Sequence, residues 1–350
     1  MNRDPRDPAR EARLDRLKAE AQALSADPPP RPRTPERAPR PEPGAESGYY
    51  GEPILKPPVW TWEVPLYLFL GGTAGAAAVI ALAARLAGDL AQTRVALAIA
   101  VIGALLSPPL LISDLGRPRR FLNMLRVVKV RSPMSVGAWV LVGFTPAVAI
   151  ALAGRSSAGG LLAILADPAL ALSALLGMGL ATYTGVLLAV SAIPVWSIHR
   201  SLLPPHFAAS ALGSAAALLE LLGFLGPATM RIGLAASAVE VVIGAVIELR
   251  RRRPDRVLRH GRTGWAIRCG GILAGPIPLL LRIAVPGARP IAAASFLLGA
   301  LFTRYAWLWA GRASAADLGA LFALQGDPAG PRADSPAAPA TPASSPRDSR

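Results

Sequence analysis

The chain has 350 residues, of which 52% are hydrophobic and only 17% charged, with a mean hydropathy of +0.41. That balance excludes an ordinary soluble two-domain protein of this length and points to a polytopic membrane protein. The net charge of +15 does not indicate nucleic acid, because the arginines lie in the tails and between apolar segments, without the aromatic interleaving of a single-strand platform. A lone cysteine, Cys269, excludes an internal disulfide, and CxxC and Cys/His metal clusters are absent.

Residues 1–48 are rich in Pro, Arg, Asp and Glu and read as a disordered tail. Within it, Leu14, Leu17, Ala21 and Leu24 recur at the spacing of a short helix. The N-terminus carries no apolar core of signal-peptide length, so the first spanning segment is expected to provide targeting. A membrane domain follows over 49–316, and 317–350, rich in Pro, Ala, Ser and Asp, reads as a mostly disordered second tail.

A spanning helix needs about 20 mostly apolar residues. The sequence offers eight such segments, at 62–86, 93–114, 134–153, 169–193, 206–225, 228–250, 265–285 and 290–311. Barrel strands would be about half as long, so the fold is all-α with eight transmembrane helices. Gly71, Gly72 and Gly75 in the first segment allow close helix contact. Pro108 and Pro109 are expected to kink the second helix, and Pro146 and Pro194 to bend or end theirs. Broken helices also build transporter sites, so a secondary transporter with a midplane substrate site is the alternative reading.

Basic residues cluster after the second segment, from Arg117 to Arg131, and after the sixth, from Arg250 to Arg262. With eight spans these loops share a side with both termini, and the positive-inside rule places that side in the cytoplasm of a bacterial inner membrane. The signatures Trp60-Thr61-Trp62-Glu63-Val64-Pro65-Leu66-Tyr67 and Asp114-Leu115-Gly116-Arg117-Pro118 fall on the same side.

Glu63 and Tyr67 are one helical turn apart and share a face. Alternate threading puts Asp114, Trp139 and Tyr183 in the same half of the membrane. A carboxylate with tyrosine hydroxyls at this depth suits hydrogen bonding and proton transfer to a quinone carbonyl. The competing reading is an aromatic belt of Trp60, Trp62, Tyr67 and Trp139 with Glu63 as a helix cap. Deeper in the chain's second half, Glu220, Glu240 and Arg304 are expected to pair or face water, with Arg304 and Glu240 the preferred pair, as a structural pin or a proton path. Glu248 and Arg282 read as snorkelling residues near helix ends. His199 and His260 read as loop residues and His206 as interfacial, which leaves no bis-histidine haem site inside the bundle.

At these residues the chain resembles the NrfD-like family, the membrane subunits of polysulphide reductase and related complexes. The matching stretches are Tyr49-Tyr50-Gly51, Trp60 to Gly75, Leu111 to Leu125, Ser132-Pro133-Met134-Ser135 with Gly137-Ala138-Trp139, Tyr183-Thr184-Gly185, Pro194-Val195-Trp196, and Arg304-Tyr305-Ala306-Trp307 with Gly311-Arg312. The resemblance implies two four-helix bundles, no haem, and a site for menaquinone or ubiquinone where the first bundle meets an iron–sulfur, ferredoxin-like subunit. That partner relays electrons to or from a catalytic, often molybdopterin, subunit. Tyr67 and Tyr183 look like the family's quinone-site residues, with Glu63 and Trp139 nearby. Asp114 and Arg117 match the signature at the quinone mouth, and Arg117, Arg119 and Arg120 are expected to dock the partner. Well-known members hold their catalytic subunits in the periplasm, whereas the charge count here turns the signature end inward.

Overall fold

The computed structural model describes residues 58, 60–114, 125–126, 128–129, 131–157, 159–250 and 253–317. Both expected tails, except Asp317, and the arginines Arg117, Arg119 and Arg120 lie outside them.

Every long element among the described residues is a helix. In chain order these are α1 (Glu63–Leu86), α2 (Leu90–Asp114), α3 (Pro133–Ser156), α4 (Leu161–Ala189), the short α5 (Pro194–Ile198), α6 (Leu203–Leu221), α7 (Pro227–Leu249), a 3₁₀ turn (Arg253–Asp255), the short α8 (Arg256–Arg259), α9 (Gly261–Ala274), α10 (Pro276–Ala284) and α11 (Arg289–Ala315). Seven helical stretches, counting Gly261–Ala284 as one, are long and apolar enough to cross a membrane. The protein is therefore a multi-pass membrane protein. The remaining expected span, the fifth at 206–225, coincides with α6, which is helical but less apolar, because it carries Pro204, Pro205, His206, Ser210, Ser214 and Glu220. Most of its residues are buried against neighbouring helices.

Proline sets many of the boundaries. Helices α3, α5, α6, α7, α10 and α11 have Pro in their first two positions, where the missing N–H has no intrahelical carbonyl to lose. Elsewhere proline lies inside a helix. Pro108 and Pro109 lie within α2, and Pro168 lies within α4, which begins eight residues earlier than expected. The seventh span is broken instead, at Gly275-Pro276, where the Gly275 backbone leaves helical geometry. Gly223, at φ +93°, makes the turn that separates α6 from α7.

Helix α1 is central. It packs against α2, α4, α6 and α11, while α6 in turn packs on α4, α7 and α11. The glycines of α1 face these neighbours: a Cβ on Gly75 would collide with the backbone of Gly177 in α4, and one on Gly72 would meet Ala211 of α6. Close backbone approach of this kind supplies dispersion contact where lipid gives no hydrophobic drive. Antiparallel threading then gathers residues 58–63, Asp114, the α4–α6 connection, the α7–α9 connection and the end of α11 at one end of the bundle, called here the first end. Leu86–Leu90, Ser156–Leu161, Leu221–Pro227 and Ala284–Arg289 lie at the far end.

Candidate functional site

At the first end, the segment leading into α1 is held by several elements. Trp60 stacks on Trp196 of α5 with ring centroids 5.6 Å apart, and Trp196 Nε1 donates to the carbonyl of Trp307 at 2.9 Å. Arg312 donates to the carbonyls of Trp60 and of Pro58, the latter at 3.3 Å. Tyr305 donates its hydroxyl to the carbonyl of Trp62 at 3.0 Å. Asp114, at the last residue of α2, accepts from the Thr61 backbone N–H at 3.0 Å and from the Thr61 hydroxyl at 2.9 Å. The same hydroxyl is in hydrogen-bond contact with the Glu63 carboxylate. Two carboxylates, Glu63 and Asp114, thus share one threonine at the rim of the bundle.

One turn inward from Glu63, Tyr67 is 1% exposed and within electrostatic reach of Tyr183, which is 9% exposed on α4. Space for the Tyr183 ring comes from a missing side chain, and Tyr67 packs beside another glycine. A Cβ on Gly71 would touch the Tyr67 ring and the Ser107 hydroxyl, and one on Gly137 of α3 would overlap the Tyr183 ring. Helices α1 to α4 therefore all contribute to a buried pair of phenols beneath a carboxylate rim. Trp139 stands apart. It is two residues from Gly137, so it projects from the opposite side of α3, and it is 37% exposed. That position suits the belt reading and does not bring it to the tyrosines. Sequence reasoning missed Tyr305, which is also within electrostatic reach of Glu63. Its only signal was its place in the Arg304-Tyr305-Ala306-Trp307 stretch.

The second half holds different polar groups, and here the expected pairings change. Glu240 does not pair directly with Arg304. Its Oε2 accepts from His206 Nε2 at 3.0 Å, while Arg304 donates to the carbonyl of Phe207 at 3.1 Å and lies 3.8 Å above the Phe207 ring. Arg304 acts on Glu240 at longer range. His206 is a buried helix residue rather than an interfacial one, and His199, though in a turn, is buried against Asp255 at 2.8 Å. Arg282 does not snorkel. It is buried, donating to Glu220 at 2.8 Å and to the Ser237 hydroxyl at 3.3 Å, and Arg289 donates to the other Glu220 oxygen at 2.8 Å. Ser237 precedes Glu240 by one turn of α7, so the Glu220 and Glu240 clusters both meet the same face of that helix. Glu248 is half-exposed beside Arg268 at 2.6 Å. Among the described residues no group of three or more His, Cys, Asp or Glu side chains could hold a metal ion.

The family model described as polysulphide reductase, NrfD, matches residues 54–228, which is 175 of 350 residues and half of the chain. The chain belongs to the NrfD family. A comparison with curated proteins finds no match. NrfD proteins are membrane subunits of oxidoreductase complexes, and membership does not favour the transporter reading. The matched stretch contains Glu63, Tyr67, Asp114, Trp139 and Tyr183 together with Glu220, and stops before Glu240, Arg282 and Arg304.

Proposed function

We propose that this NrfD protein exchanges electrons between a membrane quinone or quinol and the iron–sulfur subunit of a partner complex, which passes them to or from a catalytic, molybdopterin-type subunit. The observation that carries the reading is the buried Tyr67–Tyr183 pair beneath the Glu63–Thr61–Asp114 rim. Phenolic hydroxyls donate to a quinone carbonyl, and a carboxylate one turn away gives the proton a route to water. Tyr67 and Tyr183 would position the ring, with Glu63 and Asp114 as the proton-handling mouth. Trp139 would face lipid beside the site. Arg117, Arg119 and Arg120, which follow Asp114 in sequence, would dock the partner.

The architecture that goes with this reading is eight spanning helices in two four-helix bundles, with α6 as the inner span that completes the count. Both termini would be cytoplasmic in a bacterial inner membrane, the tails beyond the 49–316 domain disordered, and the quinone menaquinone or ubiquinone, without haem or metal in this chain.

Quinol-driven reduction of the partner's clusters in the purified complex tests the proposal. Wild-type complex should reduce them within the time of one turnover, and Asp114→Asn should slow the reaction while leaving subunit composition intact. Normal cluster reduction after quinone extraction would refute it. The buried polar groups Glu220, Arg282 and Ser237, one turn of α7 from Glu240, support a further role for Glu220, Glu240 and Arg304 in proton movement. In proteoliposomes, Glu240→Gln should lower the proton-to-electron ratio, and an unchanged ratio would leave these groups a structural pin.

A further inference from the structure

At the far end, three arginines from three helices converge. Arg85 lies in the last turn of α1, Arg94 in the second turn of α2 and Arg155 in the last turn of α3. With Leu90 they line a cavity of about 280 Å³. Asp167 of α4 orders two of them from behind. Its carboxylate accepts from Arg85 Nε at 3.1 Å and NH2 at 3.0 Å, and from Arg155 NH2 at 2.6 Å. Asp89, the other nearby acid, is engaged in capping α2, where it accepts from the Gln92 N–H at 2.9 Å. Among the described residues Arg94 reaches only the Arg155 carbonyl, at 3.5 Å, too long for a strong bond. Three guanidinium groups therefore face two carboxylates that are already committed.

The Arg155 side chain is only 10% exposed, and its buried Nε has no hydrogen-bond partner among the described residues. A buried, charged donor left unpaired is costly, and a guanidinium edge fits tetrahedral oxyanions through parallel N–H donors. The depth of the cavity says where such an anion comes from. Helix α1 has 24 residues, about 36 Å at 1.5 Å per residue, so its last turn lies beyond a hydrocarbon core of about 30 Å, at the level of lipid phosphates. Leu86 and Leu90, 80% and 53% exposed, flank the arginines with apolar surface that an adjoining acyl chain would cover.

We propose that the Arg85–Arg94–Arg155 cavity binds the phosphate of an anionic phospholipid headgroup. Basic pockets between membrane helices take anionic lipids by this chemistry. The lipid would tie together the ends of α1, α2 and α3 at the end remote from the carboxylate rim.

The full-length protein, delipidated in a neutral detergent, tests this by thermal unfolding. Micelles doped with phosphatidylglycerol should raise the Tm of the wild type by several degrees. Arg94→Gln, which disturbs none of the three Asp167 bonds, should remove most of that shift without lowering the Tm of the delipidated protein. Native mass spectrometry should show one retained phosphatidylglycerol in the wild type and none in the variant. Equal shifts in wild type and Arg94→Gln would overturn the proposal. Inorganic phosphate giving the same shift as the lipid would overturn the assignment to a headgroup.

Discussion

Replacing Tyr67 with Phe is expected to lower quinol-dependent turnover of the purified complex about 100-fold, the lower range of what a positioned general acid or base contributes. The substitution removes one hydroxyl and keeps the buried ring, which packs beside Gly71. Thermal stability should therefore change little, and the loss should appear in turnover. Tyr183→Phe should lower turnover in the same direction, and the double variant should fall short of the sum of the two in free energy, because neighbouring groups acting on one ligand are not additive. Tyr305→Phe provides a contrast. It cuts a hydrogen bond to the Trp62 carbonyl rather than a contact in the phenol pair, so it should loosen the rim with a smaller effect on rate. Turnover unchanged in both Tyr67→Phe and Asp114→Asn would remove these residues from the site.

The second large effect is on stability. Glu220→Ala leaves Arg282, whose side chain is fully buried, and Arg289 facing each other without their shared carboxylate. Removing one partner of a buried ion pair costs about 3–5 kcal/mol, because the charge left behind stays buried without its counter-ion. The variant should show sharply reduced folded yield in detergent and a Tm lowered by many degrees. Glu220→Leu combined with Arg282→Met should recover part of the loss, since an apolar pair of similar volume does not strand a charge. If Glu220→Ala unfolds at the wild-type temperature, the triad contributes no net stability.

The helices were legible because a run of apolar residues of spanning length has few other physical uses, and because Pro133, Pro204, Pro227 and Pro290 mark helix starts. The polar pairings were harder. Arg282 lies three residues from the end of its apolar run, which suggested snorkelling toward that end. In a helix, however, side chains tilt toward the N-terminus, and for Arg282 that direction leads into the bundle, toward Glu220 and Ser237. His206 was misplaced for a related reason. Its helix begins at Leu203 and is surrounded by α1, α4, α7 and α11, so a residue in its first turn is already inside. Linear position gives depth only for helices that touch lipid. The site tyrosines could be singled out from sequence, but the glycine that makes room for Tyr183 could not, because Gly137 and Tyr183 are 46 positions apart and nothing in either stretch names the other.

The clamp on the residues before α1 has a consequence for biogenesis. Trp60 rests on Trp196, and its carbonyl is held by Arg312, 252 positions later. A ribosome-bound chain that has inserted α1 through α4 has the phenol pair but neither of these partners. The carboxylate rim takes its final shape only when the last helix is in place.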